Sequence, residues 1–483
     1  MRNKNTRIRV RSYTMKKILS RTLMIGFVMM LGSQANAQQT ATIESVLEEQ
    51  AYSRAKESVL WSQGMMGVAL SLDAIQKLGG DYNDIAYLSR PANWKWQILT
   101  PNSVSLYVES VIKTSPGEPV VIEIPPVTDR TDIFGTIMDS FQTPLADVGS
   151  FGLDGGKGGK YLILPVSYAG EIPAGFIPVR TERNISFFNF RVIPSSFNQA
   201  DLADANAFIQ RIQIYPFSAP DKKGKHIDVF DKLYQNVDPR DATYFDVLTR
   251  MLNQETVVER DRMMMGMMKS FGYEHGKEFK PSAATRTMLG RAVVSALDDL
   301  ILMTRDIAGP WWEGKPGWML PAKSVGALTQ FKFVTESEYA TDARAETYSM
   351  YCCAPAKLGA ATAYIFASRD MDGEPLDARS NYVLHVPANV PVNQFWSLTA
   401  YDAQTAVFFE NVANTDISSL SKTIEYNDNG SIDLYAGPKA PEGKESNWIE
   451  TNSNHNSLFL FRFYGPKAGV RDGSWVMDGF EKQ

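Results

Sequence analysis

Apolar and polar positions alternate with two different periods along the chain, and the changes of period mark out its elements. Residues 43–77 lack proline and space Tyr52, Ala55, Val59, Met66 and Leu70 as a helix would, which predicts one or two helices. From Trp94 the period falls to two. The runs 103–113, 119–124, 134–141, 160–165 and 184–192 predict strands, with turns such as Ser115-Pro116-Gly117-Glu118 between them. Residues 201–211 return to a helical pattern. The segment 212–240 holds neither period for long and reads as a connector. Residues 242–306 are helical in pattern, broken at 272–281, and their methionine run at 263–268 predicts a packed helix face. Beyond an aromatic loop at 310–318, residues 331–334 read as a strand and 342–353 as a helix. Strands then recur at 363–367, 382–386, 394–401, 432–435 and 458–464.

The expected architecture is mixed and β-rich with helices. An N-terminal β-domain spans 38–211, a connector and helical segment 212–320, and a jelly-roll-like β-sandwich 321–483. Side chains on a strand alternate between faces, so Trp396, Leu398 and Ala400 share one face, the core, with Asp402 at its end. Phe395, Ser397, Thr399 and Tyr401 share the other.

Composition changes this picture little: 44% hydrophobic and 21% charged residues suit a globular chain. A net charge of -5 without a clustered basic field argues against a nucleic-acid partner. The first residues matter more. A basic start, the apolar run 23–31 and Ala35-Asn36-Ala37 form the pattern of an export signal cleaved after Ala37, giving a signal peptide at 1–37. The apolar run is shorter than the ~20 residues of a span. The mature chain is therefore expected in the periplasm or secreted, with no membrane span. Its two cysteines, Cys352 and Cys353, are adjacent and make no disulfide framework; their setting predicts two buried thiols on a helix, with a vicinal disulfide as the alternative.

Motifs with defined chemistry fail on context. Gly155-Gly156-Lys157-Gly158-Gly159-Lys160 runs into a strand and lacks the helix N-terminus of a phosphate loop. Asp370-x-Asp372-Gly373 lacks the later ligands of a calcium loop and reads as a β-turn. The four histidines are dispersed, and neither a metal site nor a cofactor is expected. What remains are aromatic, amide and charged residues near strand ends: Asn102 and Tyr107, Trp396 and Asp402, Asn447 and Trp448, Arg462 and Tyr464. Such groups can hold a glycan or another small molecule, and they also fill cores and pair at strand ends. On the first view Asp402 is an acid/base, Arg462 an anion clamp, Trp396 and Tyr107 a stacking wall, and Asn102, Asn447, Trp448 and Tyr464 further ligand contacts.

Phe395-Trp396-Ser397-Leu398-Thr399-Ala400-Tyr401-Asp402, Asn447-Trp448, Leu460-Phe461-Arg462-Phe463-Tyr464-Gly465-Pro466 and Gly473-Ser474-Trp475 together resemble the domain of unknown function 1214. Thr100-Pro101-Asn102-x-x-Ser105-Leu106-Tyr107, Gly158-Gly159-Lys160-Tyr161-Leu162-Ile163-Leu164-Pro165 and Gly170-x-Ile172-Pro173-Ala174-Gly175 resemble the domain of unknown function 1254. The resemblance implies β-rich domains in tandem in an exported bacterial protein and implies no established activity. That family usually carries an Asp where this chain has Val104. Two functions stay open: a hydrolase or lyase acting on a carbohydrate-like or small organic substrate in an interdomain cleft, or a non-catalytic envelope protein binding a glycan, lipid headgroup or protein partner.

Overall fold

The computed structural model describes residues 42–305, 310–313, 317–319, 326, 328–356, 362–470 and 472–483. The expected export signal lies outside them. Helix α1 (Ile43–Lys77) is a single helix of 35 residues, and from Val59 to Leu72 it is buried on nearly every side. A helix apolar all round belongs inside a protein, not on its surface. No described helix is long and apolar enough to cross a membrane.

The N-terminal strands are β1 (Ile85–Tyr87), β2 (Trp96–Gln97), β3 (Leu106–Lys113), β4 (Val120–Ile124), β5 (Thr131–Asp139), β6 (Pro144–Gly149), β7 (Gly159–Leu164), β8 (Phe176–Arg180), β9 (Ile185–Pro194), β10 (Gln213–Pro216), β11 (His226–Asp228) and β12 (Tyr234–Gln235). They form a six-stranded sheet, β11-β1-β3-β9-β5-β6, a four-stranded sheet, β10-β4-β7-β8, and the pair β12-β2. The segment read as a connector thus carries three strands that join these sheets. Even-numbered residues of β3 and β9, such as Val108, Ile112, Phe188 and Phe190, pack in one core with Val120, Ile122 and Ile163 of the smaller sheet. Odd-numbered residues, such as Tyr107, Val111 and Phe187, pack with α1.

Helices α2 (Gln199–Ile209), α3 (Thr243–Leu252), α4 (Arg262–Met268) and α5 (Ala283–Arg305) follow the predicted helical runs, and α4 buries Met264 and Met268 as expected. Helix α6 (Thr341–Tyr348) stops short of the predicted end, so Cys352 and Cys353 lie on irregular chain and not on a helix; Cys353 has φ 69°, incompatible with helical continuation. The strand expected at 331–334 is absent too. Phe331 and Phe333 have φ of 56° and 54°, and Val334 makes only one isolated bridge, to Tyr339.

The C-terminal strands are β13 (Thr362–Ala367), β14 (Tyr382–Val386), β15 (Trp396–Asp402), β16 (Asp416–Ser418), β17 (Ile432–Gly437), β18 (Trp448–Glu450), β19 (Ser457–Tyr464) and β20 (Glu481–Lys482). They form two four-stranded sheets, β13-β19-β15-β16 and β18-β17-β14-β20. The sandwich core between them contains Trp396, Leu398, Ala400, Phe459 and Phe461, the face that alternation predicted. The opposite face of the first sheet brings Tyr401, Leu458 and Leu460 into the core that surrounds α1. Both β-domains therefore cover the same helix.

Candidate functional site

The polar residues of those two outer faces meet beside α1. On the N-terminal side, β3 and β9 pair Tyr107 with Arg191 and Glu109 with Asn189, all on the odd-numbered face. On the C-terminal side, β19 sets Arg462 opposite Tyr364 of β13 and Ser397 of β15. The loop that opens the N-terminal motif ties the two halves together. Arg462 Nη2 donates to the carbonyls of Thr100 at 2.7 Å and Pro101 at 3.3 Å, and the Tyr401 hydroxyl donates to Pro101 as well. Thr100 Oγ1 donates to the Met350 carbonyl at 2.8 Å, and Ser103 Oγ to Asp416 Oδ1 at 2.6 Å.

Arg462 is 3% exposed, and its other partners are Thr399 Oγ1 at 2.8 Å and the Tyr401 hydroxyl at 2.7 Å. Every one of these acceptors is neutral. Its guanidinium carbon also lies 5.6 Å from the Tyr364 ring centre and 5.7 Å from that of Tyr401. Arg191 is half-buried, 5.0 Å from the Tyr107 ring centre, donates to the Asn189 carbonyl at 2.7 Å and hydrogen-bonds the Cys352 thiol. Two guanidinium groups thus share an enclosed, aromatic seam in which their direct hydrogen-bond partners are not carboxylates; the acids that act on them, Glu109 on Arg191 and Asp416 on Arg462, are themselves buried and have their carboxyls pushed up by that burial. On the same face, the buried Tyr464 hydroxyl and Ser397 Oγ have no hydrogen-bond partner among the described residues.

Beneath Arg191 lies a buried acid. Glu109 accepts from Asn189 Nδ2 at 2.6 Å and from the Tyr234 hydroxyl, and is also bonded by Ser71 of α1. Burial pushes its carboxyl up to about 7, against the pull of those hydrogen bonds. It can therefore hold or release a proton near neutrality.

The other sequence candidates separate. Asp402 stands opposite Ser457, five positions along the ladder from the Ser397–Arg462 pair and on the opposite face, so the expected acid/base and anion clamp do not converge. Its carboxylate instead caps a turn, accepting from Gln404 N at 2.8 Å, from Ser453 Oγ at 2.7 Å and bonding His455 Nδ1 at 2.8 Å. Trp396 is 4% exposed and stacked on Phe461 at 5.3 Å, which occupies the ring face a sugar would need. Asn447 ties Glu425 to Asp433, and Trp448 Nε1 donates to Gly437, both within the sandwich. Asn102 receives Val104 N and Ser105 Oγ on its side chain while its own N–H donates to the Tyr107 hydroxyl, so it shapes the bridging loop. Tyr107, Arg462 and Tyr464 are the predicted residues that the fold assembles.

Arg191, Glu109 and Tyr364 escaped the sequence reading. A usable signal was there: Asn189 and Arg191 stand two apart in an otherwise apolar run, as Tyr107 and Glu109 do in theirs. Polar groups at period two inside a doubly covered strand mark a face that meets something other than a plain core. Asp370-x-Asp372-Gly373 is the expected turn, with Asp370 Oδ1 accepting Asp372 N and Glu374 N. Among the described residues no cluster of three or more His, Cys, Asp or Glu side chains could hold a metal ion. A cavity of about 50 Å³ beside Asp238 and Gln63 is far below the ~300 Å³ of an ordinary ligand pocket.

Residues 82–216 match the profile of the family described as protein of unknown function (DUF1254), and residues 361–468 that of protein of unknown function (DUF1214). The seam takes Tyr107, Glu109 and Arg191 from the first and Tyr364, Tyr401 and Arg462 from the second. No curated protein matches the chain. The crystal structure of the VPA0106 protein from Vibrio parahaemolyticus resembles it in fold, with TM-score 0.50 and 17% identity over 89% of this chain and 100% of that one. An uncharacterized protein from Burkholderia cenocepacia aligns over 90% of this chain and 94% of its own, at 10% identity and TM-score 0.40.

Proposed function

We propose that this chain, which carries domain of unknown function 1254 followed by domain of unknown function 1214, binds a small organic anion in the seam between its two β-domains. The observation that carries the proposal is Arg462, buried among neutral oxygens and aromatic rings, with Arg191 facing the same tyrosines. A carboxylate on a flat, partly apolar molecule satisfies this set. Its charge complements the two guanidiniums, it accepts from the Tyr464 hydroxyl and it lays its body against aromatic faces. Export to the periplasm or medium, argued from residues 1–37, belongs to the same proposal.

Thermal unfolding in the presence of benzoate and other small carboxylates, each beside its neutral amide, tests the reading. Carboxylates should raise the unfolding temperature and amides should not. Arg191→Gln and Tyr464→Phe, which spare the interdomain bonds of Arg462, should reduce the effect. A response equal for acid and amide, or one unchanged in Arg191→Gln, overturns the proposal.

A hydrolase or lyase reading of the same seam rests on Glu109, whose carboxyl titrates near neutrality two residues from Tyr107. It requires turnover of a bound carboxylate that is lost in Glu109→Gln while binding persists.

A further inference from the structure

Cys352 and Cys353 are the only cysteines of the chain. They stand on the irregular segment after α6, both half-buried, with Cys353 Sγ 2.6 Å from Cys352 Sγ. The backbone between them is held: Cys353 N–H donates to Gln142 Oε1 at 3.1 Å, and Cys353 has the positive φ of a tight turn. Arg191 hydrogen-bonds the Cys352 thiol. Two neighbouring thiols turned toward each other beside a guanidinium are more than a packed pair. On a helix, adjacent side chains point about 100° apart and cannot meet this way. The departure from helix is what brings the sulfurs together.

We propose that Cys352 and Cys353 form a reversible dithiol–disulfide couple beside Arg191 of the seam. Its oxidant is a disulfide of the glutathione class. The Cys352 thiolate attacks one sulfur of that disulfide, its S–S bond breaks and one thiolate leaves. Cys353 then gives up its proton and attacks Cys352 Sγ, expelling the second thiolate. Two protein thiols lose two protons and two electrons, and the reagent disulfide becomes two thiols. The Cys353 thiol's hydrogen bond, aided by Arg191, holds Cys352 below the ordinary thiol range, whereas burial pushes Cys353 well above it. This assigns Cys352 as the attacking sulfur and Cys353 as the resolving one. The other groups facing Cys352 are Glu109, Tyr107, Tyr234 and Tyr348. A ring closed between neighbouring residues is strained, so the bond is readily reversed by thiols.

Because there are no other cysteines, the intact mass reports the couple directly. The reduced full chain is treated with oxidised glutathione, unfolded, alkylated with N-ethylmaleimide and weighed. The expected product has lost two hydrogens, takes up no alkylating agent and returns to two alkylable thiols after dithiothreitol. Cys353→Ser should stop at a stable mixed disulfide on Cys352. In that variant Arg191→Gln should slow formation of the mixed disulfide at neutral pH by about tenfold. A wild-type chain that retains glutathione, stays doubly alkylable, or links to a second copy overturns the proposal. None of these readouts depends on whether an anion binds in the seam.

Discussion

Glu109 sets a pH dependence that can be worked out in sign. Burial raises its carboxyl, and that of Glu255, to about 7, and raises Asp238 to about 6. Each binds a proton more tightly in the folded chain than in the unfolded one. Their stabilisation is therefore complete below the ordinary carboxylate range and is lost as pH rises toward 7. Glu109→Gln should flatten this decline, removing a dependence worth roughly 3 kcal/mol, read from urea unfolding at a series of pH values. The neighbouring amide is suited to the neutral form: Asn189 Oδ1 has no partner among the described residues, and an amide flip lets it accept the proton of Glu109 or the amide of Gln. Arg462→Ala removes the donor to the Thr100 carbonyl and to the Thr399 and Tyr401 hydroxyls, and should cost roughly 2–4 kcal/mol in the same measurement. Arg462 and Tyr107 were legible in the sequence because each sits within a dense motif. Asp402 was misleading for a physical reason. Alternation tells which face a side chain takes, but not which end of the strand abuts another domain.

Helix α1 shows the same contrast one scale up. Its length and apolar spacing were legible, whereas its neighbours were not, since a helix apolar on all sides carries no stripe to say what covers it. A glycine marks one close approach to this helix. A Cβ on Gly64 would stand 2.5 Å from the Phe141 carbonyl oxygen and 3.4 Å from the Tyr348 ring. Gly64→Ala should therefore destabilise by about 1–3 kcal/mol despite the better helix propensity of alanine. On α4, Gly266 has open space around it, and Gly266→Ala should be neutral or stabilising by about 0.5–1 kcal/mol. Urea midpoints of the two variants test both signs together. The strand misread at 331–334 has a similar origin. Phe331-Lys332-Phe333-Val334 alternates as a strand does, yet its aromatic rings pack locally with Tyr348 and Ala343 around a turn of positive φ. Periodicity cannot separate those two outcomes over four residues.

At the scale of the whole molecule, the two matched segments do not make two independent bodies. Tyr401, Leu458 and Leu460 of the C-terminal sheet, and Phe408 of the loop after β15, lie in one core with Val59, Met66 and Leu70 of α1 and Phe187 of the N-terminal sheet. Calorimetry should show a single transition whose van't Hoff and measured enthalpies agree, and Leu460→Ala should lower it without splitting it. The β-rich character of both halves was legible because strand patterns are local. Their shared helix was hidden because the contacts that enclose it join residues some three to four hundred positions apart in the chain. That separation has a consequence for biosynthesis. Helix α1 is translated some four hundred residues before β19, which helps to enclose it. At ordinary elongation rates of about 5–20 residues per second, roughly 20–80 s pass between them. Throughout that interval the nascent chain displays an apolar helix that the N-terminal sheet and the following helices cover only in part, which makes α1 the segment that ribosome-associated chaperones should hold.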